Sequence, residues 1–225
     1  MPNTEGQVKM RNASCRQQVT DFIKEQILNG EIKAGERLKE AYIAAATGLS
    51  RIPIREALIE LCQEGLLIFE PNKGTSVMKP TVDEVYASYT ICGVMEGYLT
   101  CMSLDLFSKN DYVNMESILE EMEKFQKTTR DLNTLSELDY KFHDVTISAF
   151  DNPVLINFAR LNNAKFVHFF FYKYWEEVFD ADNFYNRHLK IYEAIKTKNP
   201  VLVERAYREH YAECARRTAK YAAML

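Results

Sequence analysis

The sequence predicts a mainly α chain in two parts. Residues 1–79 read as three short helices closed by a two-stranded hairpin, and residues 80–225 as an antiparallel all-helical bundle of six or seven helices. Three observations predict this. Apolar residues recur at helical spacing along nearly the whole chain, interrupted by Gly, Asn-Gly, Asp-Asn-Pro and Asn-Pro. Residues that favour strands gather in one place, Leu66-Leu67-Ile68-Phe69 and Thr75-Ser76-Val77-Met78, around the turn Pro71-Asn72-Lys73-Gly74. Beyond Lys79-Pro80 no run reads as a strand.

Residues 16–28 carry an apolar stripe of Val19, Phe22, Ile23 and Ile27, and Asn29-Gly30 ends that helix. A connector with two glycines runs from Gly30 to Leu38. Residues 40–47 form a short alanine-rich helix stopped by Gly48. Ser50 then caps a third helix, with Pro53 in its first turn, where a missing N–H costs nothing. Ile54, Ala57, Leu58 and Leu61 make its apolar face, while Arg51 and Arg55, spaced i, i+4, share the opposite one. Gly65 ends it, and the hairpin follows.

Three helices and a hairpin in this order make a winged helix-turn-helix, whose second turn helix enters the major groove of double-stranded DNA. Arginine at the leading end of such a helix pairs with guanine or clamps phosphate. Lys73 and Gly74, at the hairpin tip, suit contact with backbone or minor groove. The alternative for Arg51 and Arg55 is an ordinary solvated face.

The second part opens on Thr81-Val82-Asp83-Glu84, a capping box. Helices are expected at about 82–107, 110–129, 134–150, 153–176, 183–199 and 200–223. The net charge of −4 is unevenly distributed: residues 1–79 hold 11 Lys/Arg against 10 Asp/Glu, and the remainder 17 against 22. The acidic balance therefore belongs to the bundle, and DNA affinity must come from placed arginines and from dimeric binding. Five cysteines, odd in number and without a C-x-x-C pair, indicate reduced thiols and a cytoplasmic protein. No stretch reaches membrane-spanning length.

A second constellation lies in the bundle. Asp139 and His143 are i, i+4 on one helix. His188 and His210 each stand 11 residues from Asn199, where Asn199-Pro200 forces a turn, so two antiparallel helices can bring them level. One carboxylate and three imidazoles suit one divalent ion, Zn²⁺ first, with Ni²⁺, Mn²⁺ and Fe²⁺ as alternatives. Such a site carries net +1 and is open to an anionic or chelating ligand. The alternative is a set of structural histidines. The aromatic run 166–175 reads as a buried helix, with rings such as Phe169 and Tyr172 as candidates to line an effector pocket, and His168 as a core residue.

The residues from Ile27-Leu28-Asn29-Gly30 through Gly35-Glu36-Arg37-Leu38, the run 48–58, Glu64-Gly65-Leu66-Leu67 and Asn72-Lys73-Gly74-Thr75-Ser76-Val77 resemble the GntR superfamily of bacterial transcription regulators. The resemblance implies DNA contacts at Arg37, Ser50, Arg51 and Arg55, with Gly74 at the wing tip. Where many members carry threonine, this chain has Ile52, suited to a thymine methyl. Asp139-x-x-Phe142-His143, Asn152-Pro153-Val154-Leu155, His188-Leu189-x-Ile191-x-x-Ala194-Ile195 and His210 resemble the effector-binding FCD domain of the FadR subfamily. That resemblance implies metal ligation by Asp139, His143, His188 and His210, and a small carboxylate effector near Glu96. It also implies an Arg four residues before Glu96, where this chain has Cys92, which supplies no positive fork. The function expected is a homodimeric, ligand-responsive repressor on a pseudo-palindromic operator. The alternative is a metal-dependent enzyme using the Asp/His₃ cluster as a Lewis acid, which would leave the winged helix without a purpose.

Overall fold

Ser14 starts the first helix: its Oγ accepts from Gln17 N at 3.1 Å, capping α1 (Cys15–Leu28). The structure, a computed structural model, describes residues 14–128, 132–161, 170 and 181–222. The chain divides into two units at Lys79–Pro80.

In the first unit, α1 is followed by β1 (Arg37–Leu38), α2 (Glu40–Thr47), α3 (Arg51–Gln63), β2 (Leu67–Glu70) and β3 (Gly74–Val77). Val19 and Ile23 of α1, Ile43 of α2 and Ile54, Ala57 and Leu61 of α3 are fully buried, so the helical stripes meet in one core. Gly48 ends α2 with φ 71°, a left-handed stop open to glycine at little cost. The expected two-stranded wing gains a third strand, in the order β1-β3-β2, all antiparallel. Arg37 lies opposite Ser76 and Leu38 opposite Thr75. Two residues have no period to read, which is why this strand looked like connector.

The second unit begins with the capping box: Thr81 Oγ1 accepts from Glu84 N at 3.2 Å, and Glu84 Oε2 accepts from Thr81 N at 2.8 Å. Its helices are α4 (Val82–Ser103), α5 (Lys109–Thr128), α6 (Leu132–Ser148), α7 (Pro153–Leu161), α8 (Ala181–Lys196) and α9 (Pro200–Ala222). Local chemistry sets the boundaries. Ser108 and Asp111 bond reciprocally before α5, Asn152 Oδ1 accepts from Leu155 N, and Asn199 Oδ1 accepts from Val201 N ahead of Pro200. The helix expected at 153–176 is described to Leu161, and the aromatic run, Phe170 excepted, lies outside the described residues.

Among the described residues of this unit, α4 packs most closely against α9. Gly93 and Gly97, one turn apart on α4, make it possible. A Cβ on Gly97 would stand 3.3 Å from Tyr207 Cβ, and one on Gly93 3.4 Å from Tyr207 O and Tyr211 Cβ. Tyr207 in turn donates to Thr146 Oγ1 at 2.6 Å and accepts from Thr100 Oγ1 at 3.1 Å, joining α4, α6 and α9. A Gly97→Leu substitution has no room and should cost about 1–3 kcal/mol by overpacking. Chemical denaturation of the variant tests this, with unchanged stability as the contrary result.

Candidate functional site

Ser50 occupies the cap position of α3 in extended conformation, yet its side chain makes no cap hydrogen bond. Ser50 is thus the N-cap that its position requires, by backbone conformation and not by its hydroxyl. Arg51, Ile52 and Arg55 are all exposed on α3, with Ile52 at 73 %. The opposite face, Ile54, Ala57, Leu58 and Leu61, is buried as its spacing requires. Arg55 is already engaged: its Nε donates to Glu40 Oε1 at 3.0 Å and Oε2 at 3.2 Å, across from α2. This leaves the outer edge of the guanidinium presented away from Glu40. Arg37 and Arg51 make no ion pair among the described residues.

At the wing tip, Lys73 N donates to Glu70 O at 3.1 Å. Pro71 at the second position and Asn72 with φ 64° at the third match a type II turn. Gly74 follows with φ 89°. Lys73 Nζ lies 3.3 Å from Glu70 Oε1, an exposed pair. Arg37, Ser76 and Ile68 are in register across the three strands and so share one face of the wing sheet.

In the second unit, Asp139 and His143 on α6, His188 on α8 and His210 on α9 come together, each offering a ligand atom within 4.8 Å of the others. The three imidazole centroids stand 5.0–5.3 Å apart. His143, His188 and His210 are 2 %, 0 % and 7 % exposed. Phe142 and Phe184 pack on His188 at 5.2 and 4.5 Å between centroids.

The hydrogen-bond inventory of this cluster is one proton short. His188 Nδ1 lies 2.8 Å from Phe184 O, and its Nε2 lies 3.0 Å from Asp139 Oδ1. Both neighbours are acceptors, and a neutral imidazole donates only once. Burial lowers the proton affinity of His188, against the pull of Asp139. His210 is pushed well down by burial and by its neighbouring imidazoles, and its Nδ1 has no hydrogen-bond partner. Burial pushes the Asp139 carboxyl up, but the bond to His188 and the surrounding imidazoles win, and it is held well below the usual carboxylate range. His143 Nε2 and His210 Nδ1 are buried in the cluster without a hydrogen-bond partner, and such imidazole nitrogens beside a carboxylate are what a divalent cation relieves. The donor set fits such an ion.

Glu96 of α4 is 1 % exposed, and its Oε2 lies 2.7 Å from His143 Nδ1. Burial opposes a proton on His143, but the Glu96 charge outweighs it and raises the pKa. Two carboxylates therefore adjoin the site, and a divalent ion there makes net zero rather than +1. Cys92 is buried one turn before Glu96 on α4. Phe169 and Tyr172 lie outside the described residues. A groove of about 620 Å³ reaches His210 between α8 and α9, its charged lining mixed between Arg187, Lys190 and Arg205 on one side of the balance and Glu193, Glu209 and Glu213 on the other. Its size suits a small metabolite. Neither Cys92 nor Glu96 is among its described lining residues. Sequence reasoning missed Arg187, buried beside His188, whose position next to a histidine was the one available signal.

Comparison with known proteins gives two matches to family profiles. Residues 15–77 match the family described as bacterial regulatory proteins, gntR family, and residues 88–213 match the FCD domain. The HTH-type transcriptional regulator YdhC of Bacillus subtilis (strain 168) is 29 % identical over 189 residues, 84 % of each chain. The HTH-type transcriptional repressor RspR of Escherichia coli (strain K12) is 24 % identical over 198 residues, 88 % of this chain and 86 % of its own. Among solved structures, Lar, which controls expression of the agr system of Listeria monocytogenes, superposes with a TM-score of 0.65 at 20 % identity, covering 92 % of this chain and 98 % of its own. At that identity the likeness speaks for the fold.

Proposed function

Since the chain belongs to the gntR family of bacterial regulatory proteins and carries an FCD domain, we propose that it is a cytoplasmic, homodimeric repressor whose operator binding is tuned by a small metabolite at a metal centre. Regulators of this family are not enzymes, and the Lewis-acid reading is set aside. Among the described residues no helix is long and apolar enough to cross a membrane.

One observation carries the metal centre: His188 stands between two acceptors, with Asp139 on its inner side, in a cluster where His143 Nε2 and His210 Nδ1 have no hydrogen-bond partner. Asp139, His143, His188 and His210 would hold one divalent ion, zinc by its donor set, and the ion would offer coordination positions to an oxygen ligand. The chain's own groups do the rest. Phe184 O and Glu96 fix the two rings, and the α8–α9 groove admits the effector. Its effect on DNA requires that it bind two arrangements of the bundle with different affinity. The first helix of the bundle follows the wing directly at Pro80, so a change in its packing reaches the reading heads through the chain.

On the DNA side, Arg51 and Arg55 would read the major groove, with Ser50 and Ile52 beside them. Arg37, Lys73 and Gly74 would touch the backbone. One recognition helix reads too few base pairs to find an operator among competing sites, which calls for two. The outer face of α4 supports pairing with a second copy: Ile91, Val94, Tyr98 and Met102 recur at helical spacing opposite the buried face and are 43–49 % exposed. A Val94→Glu substitution should weaken the dimer by more than about tenfold, or ~1.4 kcal/mol. Light scattering checks it, and an unaltered dimer would place the interface elsewhere.

The whole reading is tested by a gel shift with DNA from upstream of the protein's own gene, with and without zinc. A metal-dependent shift of one specific fragment supports it. Failure to select any fragment in either state would sink it.

A further inference from the structure

We propose that Glu96 is a positioning residue of the metal centre, one that holds His143 by Nδ1, aims its Nε2 at the ion and strengthens metal binding through the ring. This rests on the metal-centre reading above and extends it to a residue outside the ligand set.

Glu96 is a carboxylate on the buried face of α4, between Gly93 and Gly97, and it is 1 % exposed. A carboxylate is almost never buried that far without a partner that stabilises its charge. Its Oε2 stands 2.7 Å from His143 Nδ1, with both side chains 2 % exposed, a close charge contact whose alignment falls short of a hydrogen bond. Tyr211 Oη is a more distant neighbour of the same nitrogen, at 3.5 Å. The other nitrogen, His143 Nε2, is buried and has no hydrogen-bond partner. One ring nitrogen is thus set against a negative charge and the other is left with nothing but the cluster to address.

A proton on Nδ1, facing Glu96, puts the lone pair of a neutral ring on Nε2. The same polarity recurs at His188, where Nδ1 meets Phe184 O and Nε2 faces Asp139. Two rings from two helices are therefore oriented alike, each by an acceptor behind it. A carboxylate behind a ligating imidazole fixes the tautomer, restrains the ring and makes the lone pair more basic, and its removal costs roughly 10–100-fold in metal affinity. None of the four cluster residues lies on α4. Glu96 brings a side chain of that helix against a ligand ring, so α4 bears directly on the ion's surroundings.

The test uses the full-length protein stripped of metal and titrated with Co²⁺ against a chelating dye, for wild type, Glu96→Gln and Glu96→Leu. Gln keeps the length and an acceptor oxygen but loses the charge, so Co²⁺ binding should weaken about tenfold; Leu loses both and should approach about a hundredfold. The Co²⁺ absorption bands should hold in the Gln variant and change in the Leu variant. Independently, ¹⁵N NMR of the Zn²⁺-loaded wild type should show His143 protonated at Nδ1 and coordinated through Nε2, a result that needs no variant to fold. Affinities of both variants within twofold of wild type, or zinc on Nδ1 of His143, would overturn the proposal. If the wild type takes up no Co²⁺, the metal centre itself falls, and this proposal with it.

Discussion

A double substitution, His143→Ala with His188→Ala, is expected to abolish stoichiometric metal uptake and, with it, the effector's control of operator binding. Two of four donors are lost, on two of the three helices the ion would join. The loss of regulation should be complete rather than partial, and the reason is electrostatic. With no metal, Asp139 and Glu96 leave two carboxylates at the centre, offset only by the proton that Glu96 draws to His143, and a carboxylate effector finds no net positive charge there. A divalent ion cancels both and supplies open coordination positions. No arginine stands at position 92 to attract the anion in the metal's absence. Metal content after dialysis against a chelator, and release of DNA on adding effector, are the measurements. A variant that keeps one equivalent of metal, or still releases DNA normally, would falsify the assignment.

Arg51→Ala and Arg55→Ala should each weaken specific operator binding by about 1–3 kcal/mol, roughly 5–150-fold. The two should not be equivalent. Arg55 is steadied by Glu40, so a Glu40→Ala variant should lose part of what Arg55→Ala loses, and the double variant should fall short of the sum. Arg51 has no such support, and its loss should be additive with Glu40→Ala. Anisotropy titrations on operator and scrambled DNA separate these cases. Equal specific affinity in wild type and both arginine variants would remove α3 as the reading helix.

The parts of this fold that were legible in sequence are those in which the chemistry is local. The Thr81–Glu84 box, the Gly48 stop, the Asn199-Pro200 turn and the buried face of α3 each involve residues within a turn or two of one another. The Asp139/His143/His188/His210 grouping was legible because one pair is i, i+4 and the other is symmetric about a turn. The remainder depends on tertiary contact. Glu96 and His143 are far apart in sequence, and a Glu on a helix looks solvated until α6 is packed against it. Arg55 and Glu40 meet across a helix-turn-helix. β1 is too short to show alternation. Ser50 shows the reverse limit: the residue type and position were right for a cap, yet the hydroxyl does not close one.

The Arg55–Glu40 and Lys73–Glu70 pairs carry a consequence for how ionic strength governs binding. DNA affinity falls with salt because phosphate contacts release condensed counterions, with a slope near −0.9 per phosphate neutralised. A cation already matched by a carboxylate brings less than a full charge to the duplex. Each reading head therefore approaches its operator with part of its charge cancelled internally, and the salt slope should be shallower than a count of Arg37, Arg51, Arg55 and Lys73 implies. Glu70→Gln would leave the Lys73 charge without its opposing carboxylate and steepen the slope by up to about 0.9 per head. Such a protein would hold all DNA more tightly and discriminate less. On this view the two glutamates keep the regulator from being detained on the wrong sequences.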